Sequence, residues 1–362
     1  MKICLIISSL RSGGAERVLS ELANYWVSNS HQVSLITIDE KASDFYDIDP
    51  SIQRHAMNLS FESNGLFAGI LANVKRIITI RKIVQAQKPD VVLSFMDSTN
   101  ILCCISLVGT KIPLFVSERI DPFERKISLI RTLIRPYLYR NFAKKVVVQT
   151  LAVEVKCQSN WSISNIKVIS NPISTHHYFS AMPRDKIILS VARLYPQKRH
   201  ENLIRAFHKT NYKCGQWKLI ICGDGPLKQD LIGLVNKLEL SEYVLFTGSI
   251  KNISEYFNLA SIFCLSSSYE GFPNALLEAL SMGCACISTD CKSGPREILE
   301  DGRLGILVPV DDVEAMAEAL RRLMQSPELR EQFGSHADYV REYYHLDKIS
   351  RQWLNLFESV PK

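Results

Sequence analysis

The stretch Ile187-Ile188-Leu189-Ser190-Val191-Ala192-Arg193-Leu194-Tyr195-Pro196-Gln197-Lys198 runs from an apolar, β-branched segment into a loop that carries two cations. A strand that feeds a helix through such a loop is half of a βαβ unit. The rhythm repeats downstream at Lys218-Leu219-Ile220-Ile221-Cys222, Val244-Leu245-Phe246, Ile262-Phe263-Cys264-Leu265 and Cys286-Ile287-Ser288. Upstream it begins with Ile3-Cys4-Leu5-Ile6-Ile7 and a helix from about Gly14 to Val27, followed by the run Val33 to Ile38. Further runs stand at Val91 to Phe95, Leu114 to Val116 and Val146 to Val148, with helical stretches between them. The spacing predicts an α/β protein of two doubly wound, Rossmann-like domains. A length of 362 residues also exceeds what one hydrophobic core organises. The expected domains are 1–172 and 183–344, with a terminal helix over about 345–360 returning to the first. Ser170-Asn171-Pro172-Ile173 and the polar stretch up to Arg184 read as the linker, and the cleft between the domains is the expected ligand site.

A hydrophobic content of 46% and a charged content of 22% exclude disordered and fibrous classes. The ten cysteines show neither zinc-site nor C-x-x-C spacing, and Cys103, Cys104, Cys284 and Cys286 stand in apolar runs. They read as reduced, buried residues of a reducing compartment. Lys2 and the short apolar run after it read as a first strand rather than a signal peptide, and no stretch has the roughly 18 apolar residues a membrane span needs. The expected location is cytoplasmic, peripheral on the inner face of the cytoplasmic membrane. Residues 1–170 carry 21 Lys and Arg against 14 Asp and Glu, so they hold the whole surplus of the +6 net charge. That surplus suits an anionic substrate or membrane surface. Nucleic acid is not expected, because no reader motif, aromatic platform or basic tail accompanies it.

Candidate chemistry concentrates in Glu270-Gly271-Phe272-Pro273-Asn274-Ala275-Leu276-Leu277-Glu278. Pro273 suits a first helical position, and the preceding strand puts Glu270 at the carboxyl edge of a parallel sheet. The helix amino terminus favours a diphosphate, while Asn274 and Glu278 share one helical face. A carboxylate accepts two hydrogen bonds at once, which fits paired sugar hydroxyls at Glu278 or Glu270; solvated glutamates at a helix start would have the same spacing. Arg193 and Lys198 bring two cations to a strand-to-helix loop, suited to phosphate in place of a metal. Gly13 and Gly14 open the first helix, where backbone amides approach a phosphate or simply cap the helix. Gly223-Asp224-Gly225-Pro226 reads as a tight turn, with Pro226 at a helix start, and Asp47-Ile48-Asp49 as a solvated loop. From Leu66 to Val84 one helical face carries Leu66, Phe67, Ile70, Leu71, Val74, Ile77 and Ile78. Lys75, Arg76, Arg81 and Lys82 accompany it with no acidic residue, a combination that packing on the sheet allows and an anionic lipid or lipid diphosphate favours. A nicotinamide-dependent oxidoreductase lacks its third glycine here; a nucleotide-sugar epimerase and a catalytically idle binding protein remain open alternatives.

In combination these residues resemble glycosyltransferase family 4, whose E-x7-E pattern corresponds to Glu270 and Glu278, after Arg193, Lys198 and the Gly223-Asp224-Gly225 turn. The resemblance covers essentially the whole chain. It implies the GT-B fold, retention at the anomeric carbon, no metal and no cofactor. It implies further that the donor, a nucleotide diphosphate sugar expected to be UDP-linked, is bound by Gly13, Gly14, Arg193, Lys198, Glu270, Gly271, Phe272, Asn274 and Glu278. Of these, Glu270, Arg193 and Lys198 are the catalytic set. Ser12 to Arg17 and Ser94 to Asn100 carry a narrower likeness to bacterial enzymes that extend undecaprenyl-diphosphate-linked oligosaccharides. That likeness implies a glycan acceptor, with Asp97, Glu118 and Arg119 expected to bind it; the charge pattern of the helix from Leu66 to Val84 adds Lys75, Arg76, Arg81 and Lys82 to the acceptor side. Similar sequences often place a histidine after the Ser-Glu pair; this chain has Arg119, which cannot shuttle a proton at ordinary pH.

Overall fold

The computed structural model describes residues 1–60, 66–124, 128–173, 184–210 and 212–360. The linker stretch expected before Arg184 falls largely outside them. Two compact units emerge, one of Met1–Pro172 with Leu346–Lys362 and one of Ile173–His345.

The first unit runs β1 (Lys2–Ile7), α1 (Gly14–Ser28), β2 (Gln32–Thr37), β3 (Gln53–Ala56), α2 (Leu66–Gln87), β4 (Val91–Phe95) and α3 (Asp97–Ser106). It continues through β5 (Leu114–Ser117), α4 (Leu129–Phe142), β6 (Lys145–Val148), α5 (Leu151–Trp161) and β7 (Ile166–Val168). Its sheet is parallel, in the order β3-β2-β1-β4-β5-β6-β7. Successive residues of β1 point to opposite faces: Cys4 and Ile6 join the core under α2 to α5, while Ile3, Leu5 and Ile7 join the core under α1. Both faces are covered, which is why the strand reads as an unbroken apolar run.

The second unit runs β8 (Asp185–Val191), α6 (His200–His208), α7 (Tyr212–Gly215), β9 (Lys218–Cys222), α8 (Lys228–Lys237), β10 (Val244–Gly248), α9 (Ser254–Leu259) and β11 (Ala260–Leu265). It continues through α10 (Asn274–Ser281), β12 (Ala285–Thr289), α11 (Pro295–Ile298), β13 (Gly305–Val308), α12 (Val313–Gln325), α13 (Pro327–Gly334) and α14 (Ala337–Tyr343). Its parallel sheet has the order β10-β9-β8-β11-β12-β13, so the strand order reverses between β8 and β11. Pro226 lies in the turn before α8 rather than in its first turn.

The last helix, α15 (Leu346–Glu358), belongs to the first unit. Leu346, Ile349, Trp353, Leu356 and Phe357 are buried along one stripe, and the Trp26 indole donates to Ser350 Oγ at 2.7 Å. Trp353 is 1% exposed and lies against Phe95 and Phe357. Among the described residues, no helix is long and apolar enough to cross a membrane. Trp353→Ala should lower stability by about 3–5 kcal/mol. Urea denaturation followed by circular dichroism measures this, and an unchanged midpoint would show that α15 contributes no core packing.

Candidate active site

The strands β8 and β11 are neighbours across the reversal, so the crevice between their outgoing loops opens on the carboxyl edge of the second sheet, where open parallel sheets bind ligands. The loop after β8 carries Arg193 and Lys198; the loop after β11 carries Glu270. Lys198 Nζ donates to Glu270 Oε1 at 2.6 Å, and Ser267 Oγ donates to the same oxygen at 2.5 Å. Glu270 is 6% exposed. Its buried carboxylate is therefore held by an ammonium and a hydroxyl, the condition under which a buried charge is tolerated. Further bonds lace the two loops: Gln197 Nε2 to the Tyr269 carbonyl, Ser268 N to the Gln197 carbonyl and Ser266 Oγ to the Lys198 carbonyl. Ser293 Oγ donates to the Glu270 carbonyl at 2.6 Å. Ser267 and Ser293 escaped the sequence reading, since a serine in a polar loop carries no local sign of the carboxylate it will meet.

Two glycines explain the close approach of the β9 loop. A Cβ on Gly223, whose φ is +146°, would lie 2.0 Å from the Ala192 carbonyl oxygen, and one on Gly225 would lie 2.5 Å from that of Leu194. The Gly-Asp-Gly turn thus braces the Arg193 loop, with Leu194 N donating to the Asp224 carbonyl at 2.9 Å. Arg193 is exposed, its guanidinium 5.2 Å from the Tyr195 ring centre. Pro273 is the N-cap of α10 rather than its first residue, because its ψ of 93° is still extended. Glu278 is buried on α10, and the Phe272 side chain packs against Tyr344 instead of facing solvent. Among the described residues, no group of three or more His, Cys, Asp or Glu is gathered to hold a metal ion.

In the first unit, Gly13 caps α1, and its amide and carbonyl both meet the Tyr46 hydroxyl, at 3.2 and 3.0 Å. Asp97 is buried as the first residue of α3, after Met96 at φ +77°. That positive φ in a non-glycine residue is backbone strain of the kind that gathers at functional positions. Glu118 is buried too, accepts from the Tyr139 hydroxyl and lies 3.6 Å from Arg135 Nη1. Arg119 donates to Asn171 and to Ser117 Oγ, and its guanidinium sits 4.4 Å above the Phe95 ring. Burial pulls its pKa down to about 9, so it stays cationic at neutral pH.

The basic helix α2 divides its cations. Arg76 donates to the Leu59 carbonyl and Asn73 and lines a cavity of about 490 Å³ together with Arg11, Arg131, Ser8, Ser9 and Ser98. Arg81 instead caps α3, donating to the Ser106 and Val108 carbonyls, while Lys75 and Lys82 are exposed. Its apolar residues divide as well. Ile80 and Val84 enter the core, whereas Ile70, Leu71, Val74 and Ile78, four residues of the apolar face read from the sequence, are exposed.

Comparison with known proteins identifies the family and the fold. Residues 12–177 match the description "Glycosyltransferase Family 4" and residues 178–339 match "Glycosyl transferases group 1". Campylobacter jejuni N-acetylgalactosamine-N,N'-diacetylbacillosaminyl-diphospho-undecaprenol 4-alpha-N-acetylgalactosaminyltransferase is 30% identical, over 98% of each chain. A second Campylobacter jejuni protein, an alpha-1,4-N-acetyl-D-galactosaminyltransferase named for a diNAcBac-PP-undecaprenol glycan, is 28% identical over 99% of each. Among solved structures, Anabaena HepE in complex with UDP superposes with a TM-score of 0.83 at 18% identity, covering 99% of this chain and 100% of the other. Sucrose-phosphate synthase from Thermosynechococcus elongatus gives 0.86 at 17%, covering 99% of each. These likenesses show the fold, two Rossmann-like domains of the GT-B type. The chain belongs to glycosyltransferase family 4 and is a glycosyltransferase.

His200 adds a pH dependence beside the candidate site. It opens α6 two residues after Lys198, is 2% exposed, and neither ring nitrogen has a hydrogen-bond partner among the described residues. Burial, and secondarily the charge of Lys198, hold its pKa down to about 4 from an ordinary 6.5. The folded protein therefore binds fewer protons than the unfolded chain between those values. Stability should be full above pH 6.5, fall as pH drops, and level off below about 4, at up to ~1.4 kcal/mol per pH unit. Urea midpoints at pH 7.5 and 5 should differ less in His200→Leu than in the wild type; equal differences would remove His200 as the cause.

Proposed function

We propose that the protein is a retaining glycosyltransferase that moves a sugar, an N-acetylhexosamine or a hexose, from a UDP-linked donor to a lipid-diphosphate-linked glycan at the inner face of the cytoplasmic membrane. The observation that carries this reading is the Lys198–Glu270 pair at the strand reversal of the second sheet, with Arg193 on the same loop and Glu278 on the helix that follows Glu270. An ammonium has three donors, so Lys198 can hold Glu270 and still bind a phosphate oxygen. Arg193 and the amino-terminal end of α10, through Gly271, Phe272 and Asn274, complete the diphosphate site. Glu270 holds the transferred sugar and Glu278 the ribose hydroxyls. The UDP bound to Anabaena HepE and the undecaprenyl-diphosphate in the Campylobacter enzyme names support the choice of donor and acceptor.

In this mechanism the bond from the anomeric carbon to the diphosphate oxygen breaks, and its electron pair leaves with the diphosphate. Arg193, Lys198 and the α10 dipole stabilise the charge that develops. The acceptor hydroxyl attacks the oxocarbenium-like centre on the face the diphosphate leaves, and its proton passes to a departing phosphate oxygen. The first unit takes the acceptor: Asp97, Glu118 and Arg119 at the carboxyl edge of its sheet, and Arg76 with Lys75 and Lys82 along α2.

Glu278→Ala should weaken UDP binding by about tenfold or more, because charge-assisted hydrogen bonds to the ribose are lost. Calorimetry with UDP and its 2′,3′-dideoxy analogue checks the cause: the two should bind the variant alike, and an unchanged preference for UDP would remove Glu278 from the ribose site. Transfer should also survive excess EDTA and yield the anomer of the donor, as read by proton NMR of the product. Loss of activity restored by magnesium, or an inverted product, would overturn the metal-free retaining mechanism.

A further inference from the structure

The first sheet has a cavity of its own at the carboxyl edge, of about 490 Å³, within the range of about 300–1,000 Å³ that holds small ligands. β1 and β2 lie side by side and parallel, so the loops that leave them emerge together. Asp39 N donates to the Ser8 carbonyl at 2.9 Å, which ties the second loop to the first. The same loops meet again in an ion pair, Arg11 Nε donating to Asp39 Oδ2 at 2.7 Å. Both residues of the pair line the cavity, and α3 adds Ser98, Ile101 and Leu102 to its wall.

Asp39 determines what can fit there. It is 4% exposed, and its Oδ1 is filled by Ser60 Oγ at 2.7 Å and the Glu40 amide at 3.0 Å. Burial alone would raise its pKa, but the bonds from Ser60, the Glu40 amide and Arg11 outweigh it and hold the carboxyl below its ordinary range. At neutral pH it therefore accepts hydrogen bonds and donates none. Among the described residues Oδ2 accepts only from Arg11, which leaves that oxygen a further lone pair. Arg11 spends its Nε on Asp39 and keeps its two Nη groups as donors, on a side chain that is 65% exposed. An acceptor and a donor thus stand next to each other, held in place by the ion pair. Adjacent hydroxyls of a pyranose ring match them, one donating to Asp39 Oδ2 and its neighbour accepting from Arg11. A diphosphate diester brings only acceptors, which the carboxylate would repel. Of the other cations in the wall, Arg76 already gives Nε to the Leu59 carbonyl and Nη1 to Asn73, and Arg131 is exposed. Ile101 and Leu102 supply the apolar surface that suits the C–H face of a sugar or the methyl of an acetamido group.

We infer that this cavity binds a neutral pyranose unit of the acceptor glycan, with the Asp39–Arg11 pair reading two adjacent hydroxyls. The inference rests on the reading above that the acceptor is a glycan, and it gives the first unit a sugar subsite beside Asp97, whose chain neighbour Ser98 lines the cavity. It also makes the pair a determinant of acceptor specificity. A site built to hydrogen-bond a hydroxyl rejects the sugar that lacks it, because the buried carboxylate is then left without its partner.

The probes are the methyl α-glycosides of glucose, galactose, N-acetylglucosamine and N-acetylgalactosamine, offered to the full chain without donor, lipid or phosphate. Saturation-transfer NMR titrations should show at least one of them bound, with a Kd on the order of 1 mM. Arg11→Gln should weaken that binding by about tenfold, while the thermal melt and the affinity for UDP stay as in the wild type. Asp39→Asn should weaken it as well. Removing one of the two paired hydroxyls from the glycoside should cost the wild type about tenfold and Arg11→Gln little; a loosened loop would instead lower the affinity for every deoxy analogue alike. Equal binding of each glycoside by wild type and Arg11→Gln, or no glycoside bound by the wild type, overturns the sugar subsite. Inorganic pyrophosphate bound by the wild type and lost in Arg11→Gln, with the glycosides unbound, overturns it in favour of an anion site. If the glycosides bind as expected and the wild type transfers sugar to no lipid-diphosphate acceptor, the proposed activity fails and the sugar subsite stands.

Discussion

Everything distinctive in the second unit depends on the reversal of strand order between β8 and β11. In a parallel sheet each helix returns the chain to the next strand, so outgoing loops on either side of a reversal turn away from each other and open a crevice at the carboxyl edge. The loop of Lys198 and the loop of Glu270, 72 residues apart in the chain, meet at that edge. The carboxylate of this ion pair is buried and hydrogen-bonded, the ammonium half-buried, and the geometry is maintained by side-chain bonds around the two loops rather than by the pair alone. A single buried pair lacking such support would add little stability. Here the braces from Gln197, Ser266, Ser267 and Ser293 hold the carboxylate and the ammonium in fixed positions.

The first unit uses the same architecture for a different balance of forces. Its buried polar groups, Asp97, Glu118, Arg119 and Arg135, cluster near the carboxyl ends of β4 and β5, where Glu118 and Arg135 lie within ion-pair distance and Arg119 donates to Asn171. Strain at Met96 sits at the same edge. Arg119 is held over Phe95 as a fixed cation and not as a proton carrier. A mechanism in which the departing phosphate takes the acceptor proton needs no base there, which makes the arginine and the proposed chemistry mutually consistent.

The strands in the middle of both sheets were legible because burial on two faces demands an unbroken apolar run, as in Ile3 to Ile7 and Ile262 to Leu265. The strands that went unread are β3, β7 and β13, three of the four sheet edges. An edge strand pairs on one side only and is short, so Gln53 to Ala56 carries polar residues that no apolar pattern would reveal. The Glu270 to Glu278 segment was legible as a helix start beneath a sheet edge. Its N-cap was misplaced by one residue, because a proline suits both the cap and the first turn.

By itself the sequence determined the alternation of strands and helices, the order of the charged loop residues and the uneven charge of the two halves, all of which are local or additive properties of the chain. Only the tertiary structure decided that Lys198 and Glu270 pair, that Ser267 and Ser293 support them, and that Arg81 caps a helix while Arg76 lines a cavity. It also decided which apolar side chains of α2 and α4 are buried. The physical reason is that periodicity records which residues are apolar, whereas a sheet offers a limited area, and only packing determines whose side chains it covers.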